Sequence, residues 1–259
     1  MKKTFAMLLI MILMLGIFSG CGAKSDSDLA YVQDKGVLIV GITDYAPMDY
    51  KDENGEWTGF DAEFARMVAK ELGVEVEFFV IADWSKKVFE LDSKSIDCIW
   101  NGMTINEELL SIASVSNPYV LNAQVVVMKA DKAADYATAE SLVDLAIAVE
   151  HGSAGQSAAE AIGCTNIIAQ QDQGAALMEV AAGTADACII DITMAENMTG
   201  EGTSYADLAI TVTLTKEEYG IGFRKGSDIT AKVNEIMAKY MADGTLQALA
   251  DKYNLTLAK

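Results

Sequence analysis

Histidine is almost missing from this chain: 259 residues contain one, His151. Zinc sites draw on three or four clustered Cys, His or carboxylate ligands. One histidine and scattered cysteines give no reason to expect a metal centre or any other cofactor. Beyond Cys21 near the N-terminus, the cysteines are Cys98, Cys164 and Cys188, an odd set with no CxxC spacing. That excludes a disulfide framework. Cys98 and Cys188 sit inside apolar runs, Ile96–Trp100 and Ala187–Ile190, where cysteine acts as a small buried hydrophobe. The only two prolines, Pro47 and Pro118, leave no linker between candidate domains. Positive charge is scarce, with 19 Lys and Arg against 38 Asp and Glu. Nucleic-acid phosphates demand cationic contacts, so nucleic-acid binding is excluded. After the N-terminal segment no apolar run reaches membrane-spanning length.

What is present begins with Met1-Lys2-Lys3, an apolar run from Phe5 to Phe18, and Ser19-Gly20-Cys21. A basic start, a short apolar stretch and small residues at a cleavage site describe an export signal. The run is shorter than the ~20 residues a spanning helix needs. Phe18-Ser19-Gly20-Cys21 resembles the lipobox of bacterial lipoproteins, in which the chain is cut before a cysteine that is then lipidated. Phe18 departs from the usual aliphatic residue, and an ordinary cleaved signal that happens to hold a cysteine is the alternative. Residues 1–21 are read as a lipoprotein signal peptide and residues 22–30 as a flexible tether, with Cys21 as the anchor to the outer face of the cell membrane. Losing Lys2 and Lys3 leaves 17 positive against 38 negative residues, a net charge of −21.

Along the body, strands and helices alternate. Val37–Val40 reads as a strand and Asp52–Gly55 as a hairpin turn with its Asn-Gly signal. Phe60, Phe64, Met67, Val68 and Leu72 fall on one helical face, closed by Gly73. Val74, Val76 and Phe78 alternate as a strand, Asp83 is placed to cap a helix through Trp84, Val88 and Leu91, and Cys98–Trp100 is the next strand. A second series follows: strands at Gln124–Met128, Ala146–Val149, Ile167–Ile168 and Ala187–Ile190, with helices opening at Ser153 and Ala175. Each series places an Asp, Asp97 or Asp186, just before a buried strand. The pattern predicts parallel βαβ units gathered into two α/β lobes.

Several segments, in order, carry a resemblance. Tyr45-Ala46-Pro47-Met48, Gly59-Phe60-Asp61, Asp97 through Ile105, Asn117-Pro118-Tyr119, Tyr219 through Gly226 and Asp243-Gly244-Thr245-Leu246 look like the polar amino-acid-binding proteins of ABC transporters. The matches run from about residue 36 to 253. The resemblance implies an α/β, two-lobe periplasmic-binding-protein-like fold of type II, its lobes joined by two crossing hinge strands. Residues 31–122 and 219–259 would form lobe 1 and residues 123–218 lobe 2. The chain would be an extracytoplasmic, monomeric, lipid-anchored subunit that closes over a small polar solute and presents it to ABC permease subunits.

The chemistry of such a site follows from the solute. A free amino acid is a zwitterion, and unpaired buried charge is costly. On the ammonium side Asp191, the Gly102 carbonyl and the Thr104 hydroxyl match the family positions; helix capping is the other reading of Asp191. Tyr45 and Trp84 match positions where rings cover the solute, with core packing as their alternative. Trp100 is open between core and site.

The carboxylate side departs from the family pattern. Leu109 stands where an Arg usually grips the α-carboxylate, and no Lys or Arg occurs between Lys94 and Lys129. Gly152-Ser153-Ala154 keeps one hydroxyl where the family has two. The N–H groups at Ser153, Ala154 and Gly155, aided by Asn101 or Gln124, are the remaining candidates for an anion. A lost charged hydrogen bond costs about 1.5–3 kcal/mol, so an amine lacking an α-carboxylate is an open alternative. A lyase on the same fold is another, with Asp49 or Glu150 as nominal acids. The nucleophile-elbow reading of His151-Gly152-Ser153-Ala154-Gly155 fails, because His151 replaces the first glycine. No enzyme is expected.

Overall fold

The computed structural model describes residues 27–259. The export signal, Cys21 and residues 22–26 of the expected tether lie outside them. The rest of that tether is corrected: Asp28 already begins helix α1 (Asp28–Lys35), which Ser27 caps by accepting from the Ala30 N–H.

β1 (Val37–Ile42) leads through the hairpin β2 (Tyr50–Lys51) and β3 (Trp57–Thr58) to α2 (Phe60–Leu72). The periodic residues Phe60, Phe64, Val68 and Leu72 bury one face of α2, and Gly73 ends it in the left-handed region. β4 (Glu75–Val80), a single turn at Trp84–Lys86 running into α3 (Lys87–Asp92), β5 (Cys98–Ile99), α4 (Glu107–Ile112) and β6 (Ala113–Val115) follow. β7 (Val120–Asn122) carries the chain out. The second series is β8 (Gln124–Lys129), β9 (Ala146–Glu150), α5 (Ala154–Ala161), β10 (Asn166–Gln170), α6 (Gln173–Ala182), β11 (Ala187–Asp191), α7 (Ile192–Met198) and β12 (Leu208–Thr213). β13 (Glu217–Tyr219) returns to β14 (Gly222–Arg224), α8 (Ile229–Ala242) and α9 (Thr245–Lys252).

Two five-stranded sheets result, ordered β4-β1-β5-β14-β6 and β10-β9-β11-β8-β12. β1 runs parallel to β4 and β5, as β9 does to β10 and β11. The remaining strands are antiparallel: β14 to β5 and β6, β8 to β11 and β12. Alternation alone suggested parallel units throughout. The exceptions, β8 and β14, are entered directly from the hinge, β8 after Ala123 and β14 after Gly220 and Ile221. β7 and β13 pair antiparallel and form the hinge.

The two aspartates that precede strands have matching roles. Asp97 accepts from the Ile39 N–H at 2.8 Å, and Asp186 from the Ala146 N–H at 2.9 Å. Asp97 also pairs with Lys35 at 2.5 Å and Arg224 at 3.4 Å, while Arg224 reaches Asp28 at 2.9 Å and the Leu91 and Ile96 carbonyls. This buried network ties α1 to β5 and β14. Trp100 is core: it is fully buried with its ring edge-on to Phe64, centroids 5.0 Å apart. Among the described residues no helix is long and apolar enough to cross a membrane.

Candidate functional site

In open α/β sheets ligands gather beyond the carboxyl ends of the strands. The residues that follow β5, β9 and β11 line one cavity of about 360 Å³ here, closed from the other side by Trp84, Lys87 and Val88. Its size suits a small solute. The two lobes touch around it. Tyr45 Oη bonds Thr193 Oγ1 at 2.5 Å, and His151 Nδ1 lies 3.2 Å from Asp83. At Gly152 a Cβ would sit 2.7 Å from Ser85 Cα, so only glycine lets the two backbones approach so closely.

Asp191 ends β11 at the N-cap position of α7, yet its side chain makes no cap hydrogen bond. Instead Oδ1 accepts from Asn122 Nδ2 at 2.5 Å and Gln124 Nε2 at 2.6 Å, and Oδ2 accepts from Gln173 Nε2. Burial pushes its pKa up to about 6 against the pull of these amides. Both its oxygens thus accept from amides, and the residue lines the cavity as an acceptor. Glu217 on the hinge shares the Asn122 and Gln124 donors and also accepts from Thr104 Oγ1 at 2.9 Å. This commits Gln124 to carboxylates of the protein, so it is not free to hold a solute anion.

On the lobe 1 side, Asn101 turns both ends of its amide to Thr43, at 2.9 and 2.7 Å. It lines the cavity but positions the loop. Gly102 donates its N–H to the buried Asp61 at 2.7 Å, and with φ of 56° it lies in the left-handed region. A Cβ there would lie 2.6 Å from the Tyr45 ring. That contact shows where Tyr45 went. Its ring does not line the cavity; it packs under Gly102, and its hydroxyl joins Thr193 and Tyr219 in a three-hydroxyl cluster. Trp84 and Thr104 do line the cavity.

The anion side is rearranged. Ser153 caps α5 through Oγ, which accepts from the Gln156 N–H at 3.1 Å, and its own N–H goes to the Glu150 carbonyl. Gly152 donates to Gln156 Oε1. Ala154, the first residue of α5, lines the cavity. Leu109 lines the cavity, as its place in the motif implied, without a charge to offer. The cation that sequence reading missed is Lys87, at the first position of α3. Its Nζ lies 5.0 Å from the Trp84 ring centroid and donates to the carbonyls of Trp84 at 3.3 Å and Gly152 at 3.1 Å. Burial lowers its pKa, while Glu150, Glu108 and Asp83 hold it up. The one available signal was its spacing of three from Trp84, which sets both on one face of the capped turn. Of the two nominal acids, Asp49 is fully buried in lobe 1 outside the cavity, whereas Glu150 lines it.

Two α/β lobes on a strand hinge, meeting over a polar cavity made by strand ends, define a solute-binding protein of the type II periplasmic-binding fold. The chain belongs to the bacterial extracellular solute-binding proteins, family 3, whose sequence profile matches residues 38–256. It is 29% identical to the L-cystine-binding protein TcyJ of Escherichia coli (strain K12) over 93% of this chain and 92% of that one. Among solved structures, an arginine-binding protein of T. maritima superposes with a TM-score of 0.81 at 30% identity, covering 87% of this chain and 98% of the other. An ancestral amino acid-binding protein, described as a precursor of cyclohexadienyl dehydratase, gives 0.80 at 32%, covering 88% and 99%.

Proposed function

We propose that the chain is the extracytoplasmic capture subunit of an ABC uptake transporter, anchored through a lipid on Cys21, and that its solute is an α-amino acid. Residues 31–122 with 219–259 act as one closing body and residues 123–218 as the other. Asp191, the Gly102 carbonyl and Thr104 take the α-ammonium. Lys87 and the Ala154 N–H at the start of α5 take the α-carboxylate, in place of the arginine that Leu109 replaces. Trp84 covers the solute's stem. The observation that carries this reading is the placing of Asp191 and Lys87, one acceptor and one cation from opposite lobes, on a single cavity. Relatives that bind cystine or arginine support an amino acid as the class of solute.

A thermal-shift comparison of each amino acid with its decarboxylated amine tests it. At about 1,000 times Kd a ligand adds about 4 kcal/mol, or several degrees for a chain of this size. A shift with the amino acid and none with the amine supports Lys87 and Ala154 as the carboxylate site. Leu109 favours a second reading, an amine solute, and an equal or larger shift with the amine would establish it. For the anchor, Cys21→Ser should move the protein from the membrane to the soluble fraction.

A further inference from the structure

Two buried carboxylates line the cavity, and the reading above uses one. The other is Glu150, the last residue of β9, only 4% exposed, with Oε1 lacking any hydrogen-bond partner. β9 and β11 are parallel neighbours, so Glu150 and Asp191 end adjacent strands on the same cavity. Lys87 does not neutralise Glu150 directly, because its ammonium is turned to the Trp84 and Gly152 carbonyls. At the exposed rim the charges are again mostly acidic: Glu108 and Glu160 line the cavity, and His151 is turned to Asp83. Four carboxylates thus face one lysine and one histidine.

A buried carboxylate without a partner is unfavourable until it takes a proton or meets a cation. A zwitterion of zero net charge offers one ammonium, which Asp191 consumes, and leaves Glu150 as it was. We infer that Glu150 receives a second cationic group, so that the solute is an amino acid with an ammonium or guanidinium on its side chain. This rests on the reading of Asp191 as the α-ammonium acceptor. Burial and the neighbouring Asp191 hold Glu150 well above the ordinary carboxylate range in the empty protein, which agrees with a group awaiting a cation. A solute with two ammonium and two carboxylate groups fits less well, since among the described residues Lys87 is the one lysine lining the cavity.

Same-shape pairs separate charge from size: arginine against citrulline, and lysine against norleucine, titrated calorimetrically into the native protein and into Glu150→Gln. In the native protein arginine or lysine should bind roughly 100-fold tighter than its neutral partner. Glu150→Gln should reduce that ratio to below about tenfold and leave the neutral partner within about threefold of its native Kd. The variant replaces a buried carboxyl, one oxygen of which has no partner, by a neutral amide of the same shape, so its ligand-free unfolding midpoint should not fall. Equal binding of the neutral partner, an unchanged ratio in Glu150→Gln, or tight cystine binding with none of arginine or lysine overturns the inference alone. If the variant does not fold, the native pairs still decide. Failure of every α-amino acid overturns the underlying reading as well. If agmatine and cadaverine bind as tightly as arginine and lysine, and far above neutral solutes, the second cation stands and the α-carboxylate assignment falls.

Discussion

Lobe 1 and lobe 2 repeat one plan. Each sheet sets three parallel strands beside one antiparallel strand that comes from the hinge, β14 or β8, with an edge strand beyond it, and each has an aspartate, Asp97 or Asp186, that accepts from the first residues of a neighbouring strand. They differ in where buried charge goes. In lobe 1 Asp97 is neutralised by Lys35 and Arg224, far from the cavity, and the network holds α1 against the sheet. In lobe 2 the opposite end of the sheet, where β9 and β11 finish, carries Asp191, satisfied by amides, and Glu150, with an oxygen unsatisfied. Lobe 1 has its own uncompensated pair, Asp49 and Asp61, but below the cavity, where Asp61 holds the Gly102 loop. The same architecture thus pairs charge with charge at one end of lobe 1 and leaves carboxylates without a cation both beneath the cavity and on it.

The largest effect that would sharpen this contrast is on lobe 1. Arg224→Met strands Asp28 and leaves Asp97 with Lys35 as its one cation, and should lower unfolding free energy by about 3–5 kcal/mol in urea titrations. A loss below about 1 kcal/mol would mean that the network is not structural. Next is Asp191→Asn, which keeps an acceptor oxygen but no charge. It should weaken solute binding by about 2–5 kcal/mol in calorimetry with the unfolding midpoint no lower than native. If instead the midpoint falls and affinity holds, Asp191 belongs with Asp97 as a structural group and the contrast fails. Lys87→Met should cost about 1.5–3 kcal/mol for an amino acid and nothing for its amine, read from the two Kd values side by side.

A separate test of the contrast uses pH. Asp61 and Asp191 have folded pKa values of about 7 and about 6, above the unfolded value near ~3.9. Their contribution to stability is present in full below about pH 4 and is lost as pH rises through 6 to 7. The affinity for an ammonium runs the other way: full above about pH 6, and falling about tenfold per unit below it as Asp191 takes a proton. Melting and calorimetry at pH 5, 6 and 7.5 should give curves of opposite slope. Asp61→Asn should flatten the first and leave the second.

Much of this was legible in the residues. The stripe from Phe60 to Leu72, the Gly73 stop, the helix opening at Ser153 and the alternation of elements are local, and local sterics and periodicity sufficed to read them. Ordered motifs likewise pointed to Gly102, Thr104, Trp84 and Asp191 as one site. Roles that depend on distant partners were not legible. Asp191 reads equally well as a helix cap until Gln173, Gln124 and Asn122 are seen to surround it. Tyr45 reads as a solute-covering ring until Gly102 is found on top of it. Lys87 is one surface lysine among many until Gly152, 65 residues away, closes over it.

The sequence by itself thus determined the elements, their order and the family, because those follow from spacing along one chain. The tertiary structure decided which charges find partners within the protein and which do not. That depends on two lobes meeting across a hinge, where burial removes water and leaves Glu150 and Asp191 only the partners that the fold, or a ligand, brings to them.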